Sequence, residues 1–179
     1  SLGGNLCNAS PSADGICSLI VHEAECVIAG PNGVREIPVE DMCVGPGKNA
    51  LDDGEFLVSI KVPLKNSTFS ASYERFIPRN EMDIAVAAVA SSVSLENGKI
   101  SSCRIALAAV GPTPIFAEEA SQMLIGKEPT EENIKNASNK AKEIASPISD
   151  MRGTVEHRKD LIEVLTRRTL SKAVERVGV

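Results

Sequence analysis

Apolar positions fall into two differently patterned sets along the chain. As far as about residue 66 they come in short runs bounded by glycine, proline and aspartate, the pattern of short strands and turns. Ile16 to Val21 suits a helical turn or a strand. Ala24–Ala29 and Val34–Ile37 flank Gly30-Pro31-Asn32-Gly33, a turn signal that makes them a small hairpin. Pro38 to Met42 leads into Gly45-Pro46-Gly47-Lys48-Asn49; its glycine spacing is wrong for a phosphate loop and no Ser or Thr follows Lys48. Asp52-Asp53-Gly54 is a further turn. From Phe56 to Val62, Phe56, Val58, Ile60 and Val62 alternate with Leu57, Ser59 and Lys61, which predicts a half-buried strand stopped by Pro63.

The character changes from Thr68. Ser70 to Phe76 reads as a strand, broken by Ile77-Pro78-Arg79-Asn80. Asp83 opens a run of small apolar residues, Ile84 to Leu95, and Asn97-Gly98 turns it back into Ile100–Val110. The alanines at 85, 87, 88, 90, 106, 108 and 109 also suit a helix by propensity. Val and Ile at alternate places, with the Asn-Gly, favour a hairpin with one face covered closely by helices. After Gly111-Pro112-Thr113-Pro114 the pattern turns helical. A short helix spans Ala117–Ile125 and closes at Gly126. A second is capped by Thr130, carries Glu131 and Glu132 in its first turn, and buries Ile134, Ala137, Ala141 and Ile144. The last, Lys159–Val177, turns Leu161, Ile162, Leu165, Thr169, Ala173 and Val177 inward. The fold class is α+β, with a boundary between residues 1–66 and 67–179 in the polar stretch Asn66–Thr68.

Composition narrows the function. The chain has 179 residues, 42% of them hydrophobic, enough for a real core. A net charge of −5 argues against a nucleic-acid or anionic-membrane surface, and no apolar run is long enough to cross a bilayer. A soluble, cytoplasmic protein is expected. Aromatics make up 3%, so stacking platforms are few. Cys7, Cys17, Cys26, Cys43 and Cys103 follow neither disulfide-framework nor Cys-x-x-Cys spacing, which favours reduced thiols. His22 and His157 lack ligand-spaced company, so no metal site is expected. Glu118-Glu119 and Asp52-Asp53 read as a helix start and a turn rather than as acid–base pairs.

The stretch with the most chemistry is the first: Ser1-Leu2-Gly3-Gly4-Asn5-Leu6-Cys7-Asn8-Ala9-Ser10-Pro11-Ser12-Ala13-Asp14. Paired glycines let a backbone turn tightly and approach a ligand, and successive free N–H groups form a concavity for an anion. Asn8, Ser10 and Asp14 can bond to nearby backbone or to a bound group. The residue pattern alone leaves a surface turn and a phosphate cradle both open.

This run resembles the second flavin-binding motif in the FAD subunits of molybdenum hydroxylases, the family of the medium subunit of aerobic carbon monoxide dehydrogenase and the flavin domain of xanthine dehydrogenase. The resemblance continues through Ile28-Ala-Gly-Pro-Asn-Gly33, Gly45-Pro-Gly-Lys48, Gly54–Pro63, Ser70–Arg75, Arg79, Asp83-Ile-Ala85 and Cys103–Pro114, and into Arg152, His157, Arg158, Leu165 and Arg168. It implies the second half of a PCMH-type FAD-binding domain followed by a carbon monoxide dehydrogenase flavoprotein C-terminal-like domain, an antiparallel sheet with three helices. It also implies FAD as cofactor, with electrons passing from an iron–sulfur small subunit through the flavin to an external acceptor. Substrate would be oxidised at a molybdenum–pterin cofactor on a large subunit. Carried over by position, the cofactor contacts are Ser1, Gly4, Asn5, Cys7, Asn8, Ala13 and Asp14 on the loop, Leu57 on the strand beneath the flavin, and Arg75; no catalytic residue is implied.

Two departures bear on those expectations. The family's first glycine-rich motif lies in a subdomain absent from this sequence, so these residues are expected to hold half the cleft, to bind FAD weakly or not at all, and to self-associate through uncovered apolar surface. Arg75 stands where the family usually has Lys, which leaves it either a flavin contact or a solvated strand charge; Leu57 reads equally as ordinary core. A stand-alone flavin oxidoreductase of the same fold and a non-catalytic assembly module are the alternative functions.

Overall fold

The structure, a computed structural model, describes residues 1–79 and 83–177; Asn80, the last residue of the expected strand break, lies outside them. Two short helices, α1 (Leu2–Cys7) and α2 (Asp14–Val21), open the chain. Strands β1 (Glu25–Gly30), β2 (Gly33–Pro38) and β5 (Phe56–Lys61) form a sheet in the order β2-β1-β5, and β3 (Cys43–Gly45) pairs with β4 (Lys48–Asn49). A second sheet runs β6-β7-β8-β9 (Phe69–Phe76, Ala87–Glu96, Lys99–Ala108, Ile115–Phe116). Helices α3 (Glu118–Gln122), α4 (Glu131–Ile144) and α5 (Val155–Arg176) follow. Every strand pairing is antiparallel.

The hairpin turns sit where their residues require them. Asn97 (φ 51) and Gly98 (φ 76) both take the left-handed conformation that matches the twist of a two-residue hairpin, joining β7 to β8. Thr130 and Thr154 cap α4 and α5 by accepting from the amides of Asn133 and His157. The Thr154 cap starts α5 a turn earlier than the Lys159 expected from its apolar stripe.

The β6–β9 sheet is buried on both faces, not one. Ala88, Ala90, Ala106 and Ala108 face the cluster containing Ile16, Cys17, Ile20, Cys26 and Ile28. Ala87, Val89, Val93, Ile105 and Leu107 face the cluster built with Ala120, Ala137, Ala141, Ile162, Leu170 and Ala173 of the last three helices. The alanines lie on the side where α2 packs, and their small side chains let that helix come close. Its last carbonyls are met from the sheet: Ser92 Oγ donates to Val21 O and Arg104 Nε to Ile20 O, each at 2.9 Å. A strand covered twice loses the alternation that identifies a one-sided sheet, which accounts for the missing face.

The expected face of β5 holds at Ile60 and is reversed at the Phe56–Val58 end. Phe56, Val58 and Val62 are exposed, whereas Leu57 and Ile60 pack on the core. The register explains this: Val27 pairs with Ser59 and Ile28 with Leu57, so Val58 is an extra residue without a cross-strand partner. One such residue moves a strand's two ends onto opposite faces.

Candidate functional site

The opening stretch is helical rather than a plain turn. Ser1 Oγ accepts from Gly4 N at 3.1 Å and caps α1. Two glycines in a six-residue helix work against it by roughly 0.5–1 kcal/mol each relative to alanine, so α1 depends on tertiary contacts. Leu6 is fully buried, and Asn5 Oδ1 accepts from Gly15 N at 3.1 Å. That bond serves the start of α2, whose N-cap Ala13 has no side-chain acceptor. A Cβ on Gly15 would lie 2.8 Å from Leu2 Cδ1 and 3.0 Å from Asn5 Oδ1, so those side chains would have to shift to admit it.

The segment from Asn8 to Ala13 is held from several sides. Ala9 is buried and left-handed (φ 49), and its carbonyl accepts from Gly47 N at 3.0 Å. Asn49 Nδ2 donates to Cys7 O at 2.8 Å, and Ala109 N donates to Pro11 O at 2.7 Å. Gly45–Asn49, which is no phosphate loop by its spacing, belongs to the β3–β4 hairpin, and that hairpin buttresses this segment. Cys7 takes part through its carbonyl; its side chain packs on the core, and burial pushes its thiol up.

Asp14 faces outward at the start of α2 and is bound from β6. Tyr73 OH donates to Asp14 Oδ1 at 2.9 Å and Arg75 Nη1 to Oδ2 at 2.6 Å. Arg75 is thus not a free solvated charge but half of an ion pair. Burial first, then the bond to Asp14, pushes the Tyr73 phenol up, which keeps it a neutral donor at ordinary pH. Sequence reasoning passed over Tyr73. The available signal was its uniqueness as a tyrosine and its place two residues before Arg75, on the same face of β6. Leu57 Cδ2 lies 3.7 Å from the position a Cβ on Gly3 would take, and this contact puts β5 under α1.

All nine positions singled out from sequence therefore fall in one neighbourhood, along α1, the following loop and the residues of β5 and β6 that touch them. Ser1, Gly4, Asn8 and Asp14 form its exposed edge. The first turn of α1 has no acidic side chain, and its leading amides have no intrahelical acceptor, which suits a phosphate-bearing cofactor. Among the described residues no group of three or more His, Cys, Asp or Glu could hold a metal ion, and no helix is long and apolar enough to cross a membrane.

Residues 1–65 match the family model described as the FAD binding domain in molybdopterin dehydrogenase, and residues 72–173 that of the CO dehydrogenase flavoprotein C-terminal domain. The chain is 30% identical over 177 residues to the xanthine dehydrogenase FAD-binding subunit of Escherichia coli O157:H7, covering 98% of this chain and 61% of that protein. To the carbon monoxide dehydrogenase medium chain of Afipia carboxidovorans it is 31% identical over 176 residues, again 98% and 61%. It superposes on a chain of the carbon monoxide dehydrogenase of Hydrogenophaga pseudoflava, solved in a form that lacks the Mo-pyranopterin moiety of its molybdenum cofactor. The TM-score is 0.96 at 31% identity, over 99% of this chain and 62% of that one. The chain thus spans under two thirds of the length of the relatives it matches. With α1, the loop, β5 and β6 assembled as described, it belongs to the family of FAD-binding subunits of molybdenum-containing dehydrogenases.

Proposed function

We propose that this chain is part of an electron-transfer subunit that carries FAD between an iron–sulfur subunit and an external electron acceptor, beside a molybdenum–pterin subunit that oxidises the substrate. The division at residue 66 then separates the cofactor-binding part from the C-terminal part. The observation that carries the reading is the gathering of Ser1, Gly4, Asn5, Cys7, Asn8, Ala13 and Asp14 into one capped helix-loop-helix with Leu57 beneath it and Arg75 on Asp14. FAD, when bound, supplies the redox chemistry. The chain's own residues bind and orient it: amides and hydroxyls of the loop for the diphosphate and sugar, and the apolar surface at Leu57 for the ring.

The family relation supports FAD, and the relatives, a xanthine dehydrogenase subunit and a carbon monoxide dehydrogenase medium chain, support a role inside a multi-subunit enzyme. Purification of the native complex tests the proposal. Release of FAD on denaturation, together with iron–sulfur and molybdenum subunits in the same complex, is the expected result. A native complex without flavin overturns it.

A further inference from the structure

Arg158 lies on the first turns of α5 with its side chain only 5% exposed. A buried guanidinium calls for acceptors; here Nη1 and Nη2 reach three, and Nε has none among the described residues. Nη1 donates to Val86 O at 2.6 Å and to Ala109 O at 3.1 Å, and Nη2 to Asp150 Oδ1 at 2.7 Å. Val86 immediately precedes β7 and Ala109 immediately follows β8, so Arg158 closes the open end of that hairpin. Ala109 is left-handed, with φ 63, a conformation that costs a residue with a side chain and persists where surroundings enforce it. Its N–H donates to Pro11 O at 2.7 Å. The result is a chain of contacts from Asp150 through Arg158 and Ala109 to the segment between α1 and α2.

We propose that Arg158 is a positioning residue for the Asn8–Asp14 loop, acting through the backbone of Ala109. By locking the Ala109 carbonyl, Arg158 holds the peptide in the left-handed turn that aims the Ala109 N–H at Pro11. Without the fork, Ala109 relaxes and the loop loses the anchor furthest in sequence from it. That the loop contacts FAD rests on the function proposed above; that Arg158 sets the loop's order does not.

Amide hydrogen exchange separates the two. In Arg158→Lys the Ala109 amide is expected to exchange ~10-fold faster or more, the scale of losing charge-assisted bonds at a local opening. Leu107, deeper in β8, should stay within about twofold. Asp150→Asn keeps the fork but removes its charged partner, and should raise exchange at the same amide by a smaller factor. Thr154→Ala, which removes the α5 cap but no Arg158 contact, frees the His157 amide and should leave Ala109 within about twofold of wild type. Wild-type exchange at Ala109 in both the Arg158 and Asp150 variants, or an equal rise in Thr154→Ala, overturns the proposal. If Arg158→Lys does not fold, Asp150→Asn against Thr154→Ala decides it. FAD titrated into the same samples reports on the other reading: loss of protection at Ala109 with FAD contacts that fall away from the loop keeps the positioning role and removes the cofactor role.

Discussion

The Tyr73 hydroxyl and the Asp14 carboxylate meet at 2.9 Å, joining β6 to the first residue of α2 across 59 positions of sequence. Arg75 takes the other carboxylate oxygen, so Asp14 is oriented from two sides before any ligand arrives. A carboxylate keeps further lone pairs for a bound hydroxyl after two such bonds. Tyr73→Phe is expected to cost about 0.5–1.5 kcal/mol, the net worth of a hydrogen bond, in urea unfolding. Arg75→Ala should cost under ~1 kcal/mol, because Asp14 is 52% exposed and solvent screens the pair. A loss of several kcal/mol in Arg75→Ala would contradict this description.

The joint between α1 and α2 gives a second prediction. Asn5 supplies the acceptor that Ala13 lacks, so Asn5→Ala should destabilise by about 1 kcal/mol, the usual size of a lost helix cap. Asn5→Asp, which keeps an acceptor at the same reach, should recover most of it. Thermal unfolding of the two variants checks the claim, and equal losses would refute it.

In β5 the bulge at Val58 makes a prediction opposite to that of simple alternation. Val58→Thr, at an exposed position, should change stability by no more than about 0.5 kcal/mol, while Ile28→Ala, at a fully buried one, should cost about 2–5 kcal/mol. Comparable losses from both would restore the alternating reading.

Acid should weaken the contact between β2 and the Asp52–Glu55 turn. Arg35 Nε and Nη2 hold both Glu55 oxygens, at 2.8 and 2.6 Å, and Asp52 N donates to Oε2 at 2.8 Å. Arg35 first, then the Asp52 amide, brings the Glu55 carboxyl down from 4.5 to about 2. A lowered folded-state pKa means the stabilisation is complete above pH 4.5 and is lost as pH falls toward 2. The stability gap between wild type and Glu55→Gln should therefore be constant above pH 5 and close between about pH 4.5 and 2. A gap that persists at pH 2 contradicts the assignment.

Much of this architecture is legible in the residues. Gly30–Gly33 and Asn97-Gly98 place two hairpins, and Thr130 starts a helix, because each turn or cap depends on its own few side chains. The errors came where the deciding contact is distant. Helix α1 reads as a turn because its glycines disfavour helix, and what overrides them includes a bond from Asn5 to Gly15 and the burial of Leu6. The face of β5 depends on one unpaired residue that pattern cannot reveal. The second buried face of the β6–β9 sheet depends on α2, which lies far away in sequence. At the site, glycines and short polar residues mark the loop, but the residues that fix it, Tyr73, Asn49, Ala109 and Arg158, lie far from it in sequence, and nothing in their own runs pairs them with it.

That α1 and the loop after it face FAD can be seen by titrating FAD into the chain and following the backbone amide shifts. Weak binding in fast exchange is expected, with the largest shifts from Gly4 to Asp14 and at Leu57 and Arg75. Shifts centred on another surface would contradict it.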